Sequence, residues 1–287
     1  RYGYRTDLLN AIPWKDPYWK VLIRERPEVI VFPKFSDVPA FMQQLAGQEV
    51  VDVYRPITVI LPTELIIWGM HQEELSQAGK YMTGEGDLSA IDLALCWNSR
   101  QASILRQFTN INEEALAVTG NPRFDYFTSP FNALIPSREA LLKSYGVPEG
   151  WRGKIVTVAT NFVYADNFGH DDTQEYKALK EYYTSRPFDP FGGTFDFVVE
   201  DEYLSRNAFV TFCKEISSTG PDVWVILKPH PQEDASFYLN ALADATHTSV
   251  VGQEFSFNFL SLSNLHLMQL CTTGREAWLM GIPTINL

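Results

Sequence analysis

The chain has 287 residues, enough for two domains of ordinary size. Apolar residues make up 45% of it and charged residues 20%, a balance that excludes a disordered chain. The net charge of −12, with an isoelectric point near 4.9, argues against a broad nucleic-acid surface, which needs dense Lys and Arg to replace counterions, but it leaves room for a small anion held by a few N–H groups and one or two cations.

Short apolar runs alternate with longer amphipathic stretches, the pattern of repeated βα units and so of an α/β fold. In the first half, the runs at 29–32 (VIVF), 57–61 (ITVIL), 91–96 (IDLALC) and 116–119 (LAVT) read as buried strands, with helices at 38–45, 72–79 and 99–108 between them. A helix follows at 137–145, with Ser137 as its N-cap and Glu139 in its first turn. The Pro- and Gly-bearing stretch 147–153 reads as a linker and divides the chain into domains of residues 1–150 and 151–287. A second βα series then runs through strands at 155–159, 223–227, 249–251, 265–270 and 284–287, with helices at 204–216, 235–243 and 275–280. Residues 166–197 break the rhythm with aromatics, several Asp and the pair Gly192-Gly193, and read as a lid-like insertion over the mouth of the second domain. Both ends read as clipped, the start lacking a first βα unit and the finish lacking a closing helix, so the expectation is a piece of a longer chain.

The three cysteines, Cys96, Cys213 and Cys271, lie far apart in apolar segments and read as reduced core residues of a cytosolic protein. Cys-x-x-Cys and His-x-x-x-His spacings are absent, so no metal site is expected. A signal peptide and an apolar run of about 18 residues are absent too.

Two strand endings carry the chemistry. The run VWVIL stops at Lys228-Pro-His-Pro-Gln-Glu233, where two prolines remove backbone donors and hold His230 on a stiff platform. His230 can donate to a phosphate and Lys228 adds a point charge; the rival reading is a Pro-rich turn with a solvent-facing His. The second ending, Cys271-Thr-Thr-Gly-Arg-Glu276, joins a strand to a short helix. Thr272, Thr273 and Gly274 would form an anion nest, and Glu276 would accept hydrogen bonds from ribose hydroxyls; the rival is a simple N-cap at Thr273 with Glu276 as its capping-box partner. Ligands of open α/β sheets bind outside the carboxyl ends of the strands, so the two endings together point to one anion-accepting site, a nucleotide-activated donor and group transfer. Glu64, after the strand at 57–61, is a candidate base or nucleophile, against the rival of a surface Glu opening a loop; His71 reads as a helix-surface residue. Arg123, in the tight turn Thr119-Gly-Asn-Pro-Arg-Phe-Asp125, pairs with Asp125 or reaches a ligand carboxylate. Asn161 ends the strand 155–159 at a matching position, and Asp166, Asp171 and Asp172 are further candidates for a catalytic carboxylate.

TGNPRFD at 119–125, ATN at 159–161, LKPHPQE at 227–233 and CTTGREAWLMGIPTI at 271–285 together resemble bacterial surface-carbohydrate GT-B glycosyltransferases of capsule and lipopolysaccharide synthesis, related to the Kdo transferases that use CMP-Kdo. The His-Pro step also resembles the donor motif of sialyltransferases that use CMP-sugars. The resemblance implies two Rossmann-like domains facing across a cleft, with the donor on the C-terminal one. It implies His230 and Pro231 beside the donor phosphate, and Thr272, Thr273 and Gly274 around phosphate or nucleotide. Asn161, Lys228 and Glu276 complete the expected donor site, and Glu64, Asp166 and His230 are the expected catalytic set. No cofactor is implied beyond the nucleotide sugar itself, and no Asp-x-Asp motif is present. The implied partners are the nucleotide sugar and a glycan or glycolipid acceptor, with no nucleic acid. The implied place is the cytoplasm, with peripheral association with the inner membrane or with further glycosyltransferase domains. Two rivals stand beside this reading: a CDP-glycerol glycerophosphotransferase, as in teichoic acid polymerases, and a non-catalytic nucleotide-sugar-binding domain.

Overall fold

The computed structural model describes residues 26–46, 55–62, 86–184, 194–252, 254–269 and 271–287. The chain divides into two compact units, Arg1–Asn121 and Pro122–Leu287.

The first unit holds a parallel sheet of strands β1 (Val29–Phe32), β2 (Ile57–Ile60), β3 (Leu93–Cys96) and β4 (Leu116–Val118), in that order. Val and Ile runs suit the pleated, packed surface of such a sheet. Helices α1 (Asp37–Ala46) and α2 (Ser99–Phe108) contribute Val38, Phe41, Ile104 and Leu105 to a core with Phe32, Ile60, Ala94 and Cys96. Asn98 caps α2 by accepting the Gln101 amide proton. The expected helix at 72–79 lies outside the described residues.

The second unit holds helix α3 (Arg138–Ser144), β5 (Lys154–Ala159), α4 (Gln174–Thr184), α5 (Phe195–Thr219), β6 (Val223–Lys228), α6 (Ala235–Ala241), β7 (Thr248–Val250), α7 (Ser256–Leu260), β8 (Leu265–Met268), α8 (Thr273–Leu279) and β9 (Thr284–Asn286). Its strands are parallel in the order β7-β6-β5-β8-β9. The chain therefore winds outward from β5 through β6 to β7, then returns to the other side of β5 for β8 and β9. That reversal between β5 and β8 is the kind of switch point outside which open α/β sheets bind their ligands, at the carboxyl ends of the strands.

The strands read as continuous apolar runs because both faces are covered. Ile155, Ala159, Trp224 and Ile226 pack on α3, α7 and α8 through Leu141, Leu142, Phe259, Leu260 and Ala277. Their neighbours Val156, Val158, Val225 and Leu227 point the other way, onto Phe209, Val210, Cys213 and Tyr238 of α5 and α6.

Two expectations are corrected. The domain boundary falls at Asn121/Pro122 and not at 150, because α3 belongs to the second sheet: Leu141, Leu142, Tyr145 and Val147 join its core, and Arg138 donates to the Leu262 carbonyl at 3.2 Å. The presumed linker is a turn into β5, with Gly146 and Gly150 at φ of 72° and 79°. The described part of 166–197 is also no irregular loop. It holds a 3-10 turn at Ala165–Asn167, the whole of α4 and the start of α5, packed together by Tyr176, Tyr183, Phe195, Val198 and Val199. Gly192-Gly193 lies outside the described residues. Among the described residues no helix is long and apolar enough to cross a membrane.

Gly153 marks how tightly β5 is entered. A Cβ there would lie 2.2 Å from the Asp222 carbonyl oxygen, which also accepts the Lys154 amide proton. Backbone cannot yield as a side-chain tip can, so Gly153→Ala is expected to destabilise the second unit by about 2 kcal/mol. Urea titration followed by circular dichroism measures it, and a midpoint equal to that of the parent chain would refute this packing.

Candidate functional site

Register sets three strand ends level. Ala159 of β5 pairs with Lys228 of β6 on one side and with Met268 of β8 on the other. The residues that follow, Thr160-Asn161, Pro229-His230 and Cys271-Thr272-Thr273, therefore emerge on one rim of the sheet.

The turn after β6 is closed by Glu233. This buried carboxylate accepts the Thr160 hydroxyl at 2.7 Å and the His230 amide at 3.1 Å through Oε1, and the Tyr238 hydroxyl through Oε2. Pro229 is buried, His230 half-buried and Pro231 exposed. The His230 Nδ1 accepts the Gln232 amide proton at 3.2 Å.

The turn after β8 differs from expectation. Thr272 is exposed, holds helical dihedrals (φ −63°, ψ −21°) and makes no side-chain cap bond. Thr273 is no N-cap: it is buried, and its hydroxyl meets Nε2 of His266 at 2.9 Å. Nδ1 of that histidine meets Thr157 at 2.9 Å, which meets the Ser263 hydroxyl at 2.7 Å. Thr273 thus ends a buried polar chain instead of facing a ligand. The amides of Gly274, Arg275 and Glu276 donate to the Cys271 and Thr272 carbonyls, so the expected nest is closed on itself. Gly274 is buried, and the space its missing Cβ leaves is filled by the Met268 methyl, which serves helix-to-strand packing.

A different group forms the polar centre of the rim. Arg123, on the 3-10 turn Pro122–Phe127, pairs with Oε1 of Glu276 at 2.7 Å and donates to the Ser256 hydroxyl at 3.1 Å. Glu276 is 2% exposed, and its Oε2 is buried with no partner. Lys228 belongs to the same group. Burial pulls its ammonium below the usual lysine range, the neighbouring Cys271, Glu276 and Glu254 oppose that, and Arg123 adds to it. The structure therefore brings together Lys228, Arg123 and Glu276, and sets the expected Arg123–Asp125 pair aside in favour of Glu276.

Other expected residues lie elsewhere. Asp166 is bound to the buried Arg206 of α5, which stacks on Phe237, so its carboxylate is already engaged in holding that helix. Asp171 and Asp172 are exposed. Asn161 follows β5 on the rim, half-buried. Glu64 and His71 lie outside the described residues. Cys96 and Cys213 are buried thiols that burial pushes up to about 11 and about 12, with Arg106 easing the first slightly, whereas Cys271 is half-buried beside Lys228.

Sequence reasoning missed an aromatic ladder. Tyr126 stacks on Phe257 with centroids 4.7 Å apart and planes 4° apart, and Phe257 stacks in turn on Phe255 at 5.3 Å. Phe255 is 69% exposed, unusual for a phenylalanine, and Ser256 ties the ladder to Arg123. The alternation Phe255-Ser-Phe-Asn-Phe259 was the available signal; only Phe259 of the three enters the core fully. Glu202 was also missed. It is buried, accepts the Tyr164 amide at 2.6 Å, and is pushed up to about 8, chiefly by burial.

No family model and no curated protein matches the sequence. Solved structures match in fold. The UDP-GlcNAc 2-epimerase of Neisseria meningitidis bound to UDP-GlcNAc is 13% identical over 93% of this chain and 61% of its own, with a TM-score of 0.55. The S. aureus MnaA–UDP structure is 14% identical over 99% of this chain and 64% of its own, with a TM-score of 0.52. A structure of the wall teichoic acid polymerase TagF is 13% identical over 90% of this chain and 54% of its own, at a TM-score of 0.46. The chain thus spans less than two thirds of the length of each. The likeness is one of fold, and the fold is GT-B, with two Rossmann-like α/β units.

The buried His266 gives the site's floor a pH signature. Burial pushes it down to about 4 from the ordinary 6.5, so between those values the unfolded chain binds a proton that the folded chain refuses. Its contribution is complete above pH 6.5 and is lost as pH falls toward 4, by at most about 3 kcal/mol. Urea midpoints taken across this window are expected to fall with pH in the parent chain and to fall less steeply in His266→Asn. Equal slopes in both would remove the histidine from this role.

Proposed function

We propose that this GT-B chain is an enzyme of bacterial surface-carbohydrate synthesis that acts on a nucleotide-activated sugar, and that it transfers Kdo from CMP-Kdo to a hydroxyl of a growing glycan. One observation carries the reading. On the rim where the strand order reverses, Lys228 and Arg123 flank a buried Glu276 that has one oxygen without a partner, and an exposed aromatic ladder begins beside them. Each part answers to one part of a nucleotide. The two cations suit the phosphate. The Glu276 oxygen without a partner, covered in this structure, is assigned to the ribose hydroxyls, which would supply the donor it lacks once ligand entry uncovers it. Phe255 offers a flat apolar face to a base.

His230, on the stiff turn after β6, is assigned to the departing phosphate, where a hydrogen-bond donor lowers the cost of the charge that builds as the sugar leaves. CMP departs readily as a monophosphate, so the chain's main tasks are to bind, orient and exclude water. With Asp166 engaged by Arg206, the base for the acceptor hydroxyl is assigned to Glu64. Support for a nucleotide sugar comes from the UDP-GlcNAc carried by the Neisseria meningitidis structure of the same fold. The choice of CMP-Kdo is supported by the motifs at 119–125, 159–161, 227–233 and 271–285.

A thermal-shift panel of CMP, CDP, UDP and GDP tests the donor. A ligand bound only by the native state at a hundred times its Kd stabilises by about 2.7 kcal/mol, and CMP is expected to give the largest rise. A response to UDP or GDP without CMP overturns the donor, and a response confined to CDP with turnover of CDP-glycerol replaces Kdo transfer by glycerophosphate transfer. Phe255→Ala is expected to leave the melting temperature of the unliganded chain within a degree or so, the residue being exposed, while weakening CMP about tenfold or more. Unaltered CMP affinity would take the ladder out of the site.

A further inference from the structure

Glu233 is absent from every role assigned so far, yet its position is unusual. It is a buried carboxylate that carries three hydrogen bonds, from Thr160, the His230 amide and Tyr238. Those donors come from the end of β5, from the turn itself and from α6. The Glu233 amide also donates back to the His230 carbonyl at 2.9 Å. The side chain and main chain of Glu233 thus hold the two peptide groups on either side of the His230 Cα, and the two flanking prolines leave that stretch little other freedom.

The consequence reaches the imidazole. With the turn closed, the Gln232 amide points at Nδ1 of His230, at 3.2 Å. An amide N–H can only donate, so Nδ1 must hold its lone pair and the ring proton of the neutral histidine sits on Nε2. A neutral ring fixed in this form offers a donor at Nε2 and no base there.

We propose that Glu233 is a positioning residue that holds His230 as its Nε2–H form, so that the ring donates a hydrogen bond to the nucleotide phosphate and does not take a proton from the acceptor. What the ring meets rests on the nucleotide-sugar reading above; how the ring is held does not. Thr160 shares in the arrangement, because its hydroxyl fastens Glu233 to the end of the central strand.

The experiment has two arms. In the first, two-bond proton–nitrogen spectra of histidine-labelled chain, with His230 assigned by its loss in His230→Asn, read the tautomer without ligand. The parent chain is expected to show an unprotonated Nδ1 and a protonated Nε2, and Glu233→Gln is expected to show a mixture of the two forms. Tyr238→Phe, which removes a donor to the other carboxylate oxygen, is the structural control: it is expected to lower the melting temperature and keep the parent pattern. In the second arm, calorimetry is expected to show CMP bound about tenfold more weakly by Glu233→Gln, the equivalent of one charge-assisted hydrogen bond lost. A protonated Nδ1 in the parent chain overturns the proposal, as does a Glu233→Gln chain that melts lower but keeps both tautomer and affinity. If no nucleotide binds the parent chain, the functional reading fails while the spectra still decide how His230 is held.

Discussion

The second unit hangs on the register of its central strand. β5 is gripped by β6 and β8 in parallel pairing, with Ala159 level with both Lys228 and Met268. A slip of one residue would turn every side chain of the moved strand to the opposite face, so burial on both sides fixes that alignment. Because the strand ends are level, the polar residues after each strand emerge together, beside the point where the chain reverses next to β5. The chemistry of the rim is thus a consequence of packing far below it, in the apolar layers on either face.

Two buried carboxylates on this rim show how the same residue type is put to different ends. Glu233 has both oxygens engaged by donors from three elements, and so behaves as a cross-brace. Glu276 has one oxygen bound to Arg123 and the other without a partner. An unsatisfied buried acceptor costs about 1–3 kcal/mol, which a folded chain tolerates where a bound molecule returns it. The contrast separates a carboxylate fully engaged by the fold from one left with an open acceptor, a difference that the residue's identity alone does not show.

Much of the architecture was legible because strands buried on both faces write themselves as Val- and Ile-rich runs: β1 and α2 begin and end where the pattern puts them, and β5 and β6 extend it by a residue at one end. The boundary was not legible, since a stretch rich in Pro and Gly looks the same whether it links domains or turns the chain tightly into β5. Helix α4 was hidden by its tyrosines, of which Tyr176 and Tyr183 lie on one helical face and pack against Phe195 while Tyr182 stays exposed. Lys228, Arg123 and Glu276, which the structure groups together, were singled out as candidates from strand endings and turn chemistry. Thr273 was misplaced because Thr-Thr-Gly-Arg-Glu fits a capping box in every letter; the competing partner, His266, sits in an apolar strand where sequence gives no hint of a hydroxyl waiting on each side. The ladder at Phe255 escaped notice because three alternating phenylalanines look like core until one of them is seen to face outward.

The junction at Asn121/Pro122 has a practical corollary for anyone dissecting this molecule. Excising the C-terminal half at the Gly-rich turn near residue 150 would discard Arg123, and with it the counter-ion of Glu276, along with the α3 side chains that seal one layer of the sheet. A carboxylate stranded in that way loses a charge-assisted hydrogen bond, worth about 1.5–3 kcal/mol with Arg123 itself partly exposed, against a stability of about 5–15 kcal/mol for a typical domain. An autonomous fragment has to begin ahead of Pro122, so that the guanidinium travels with the acid it neutralises.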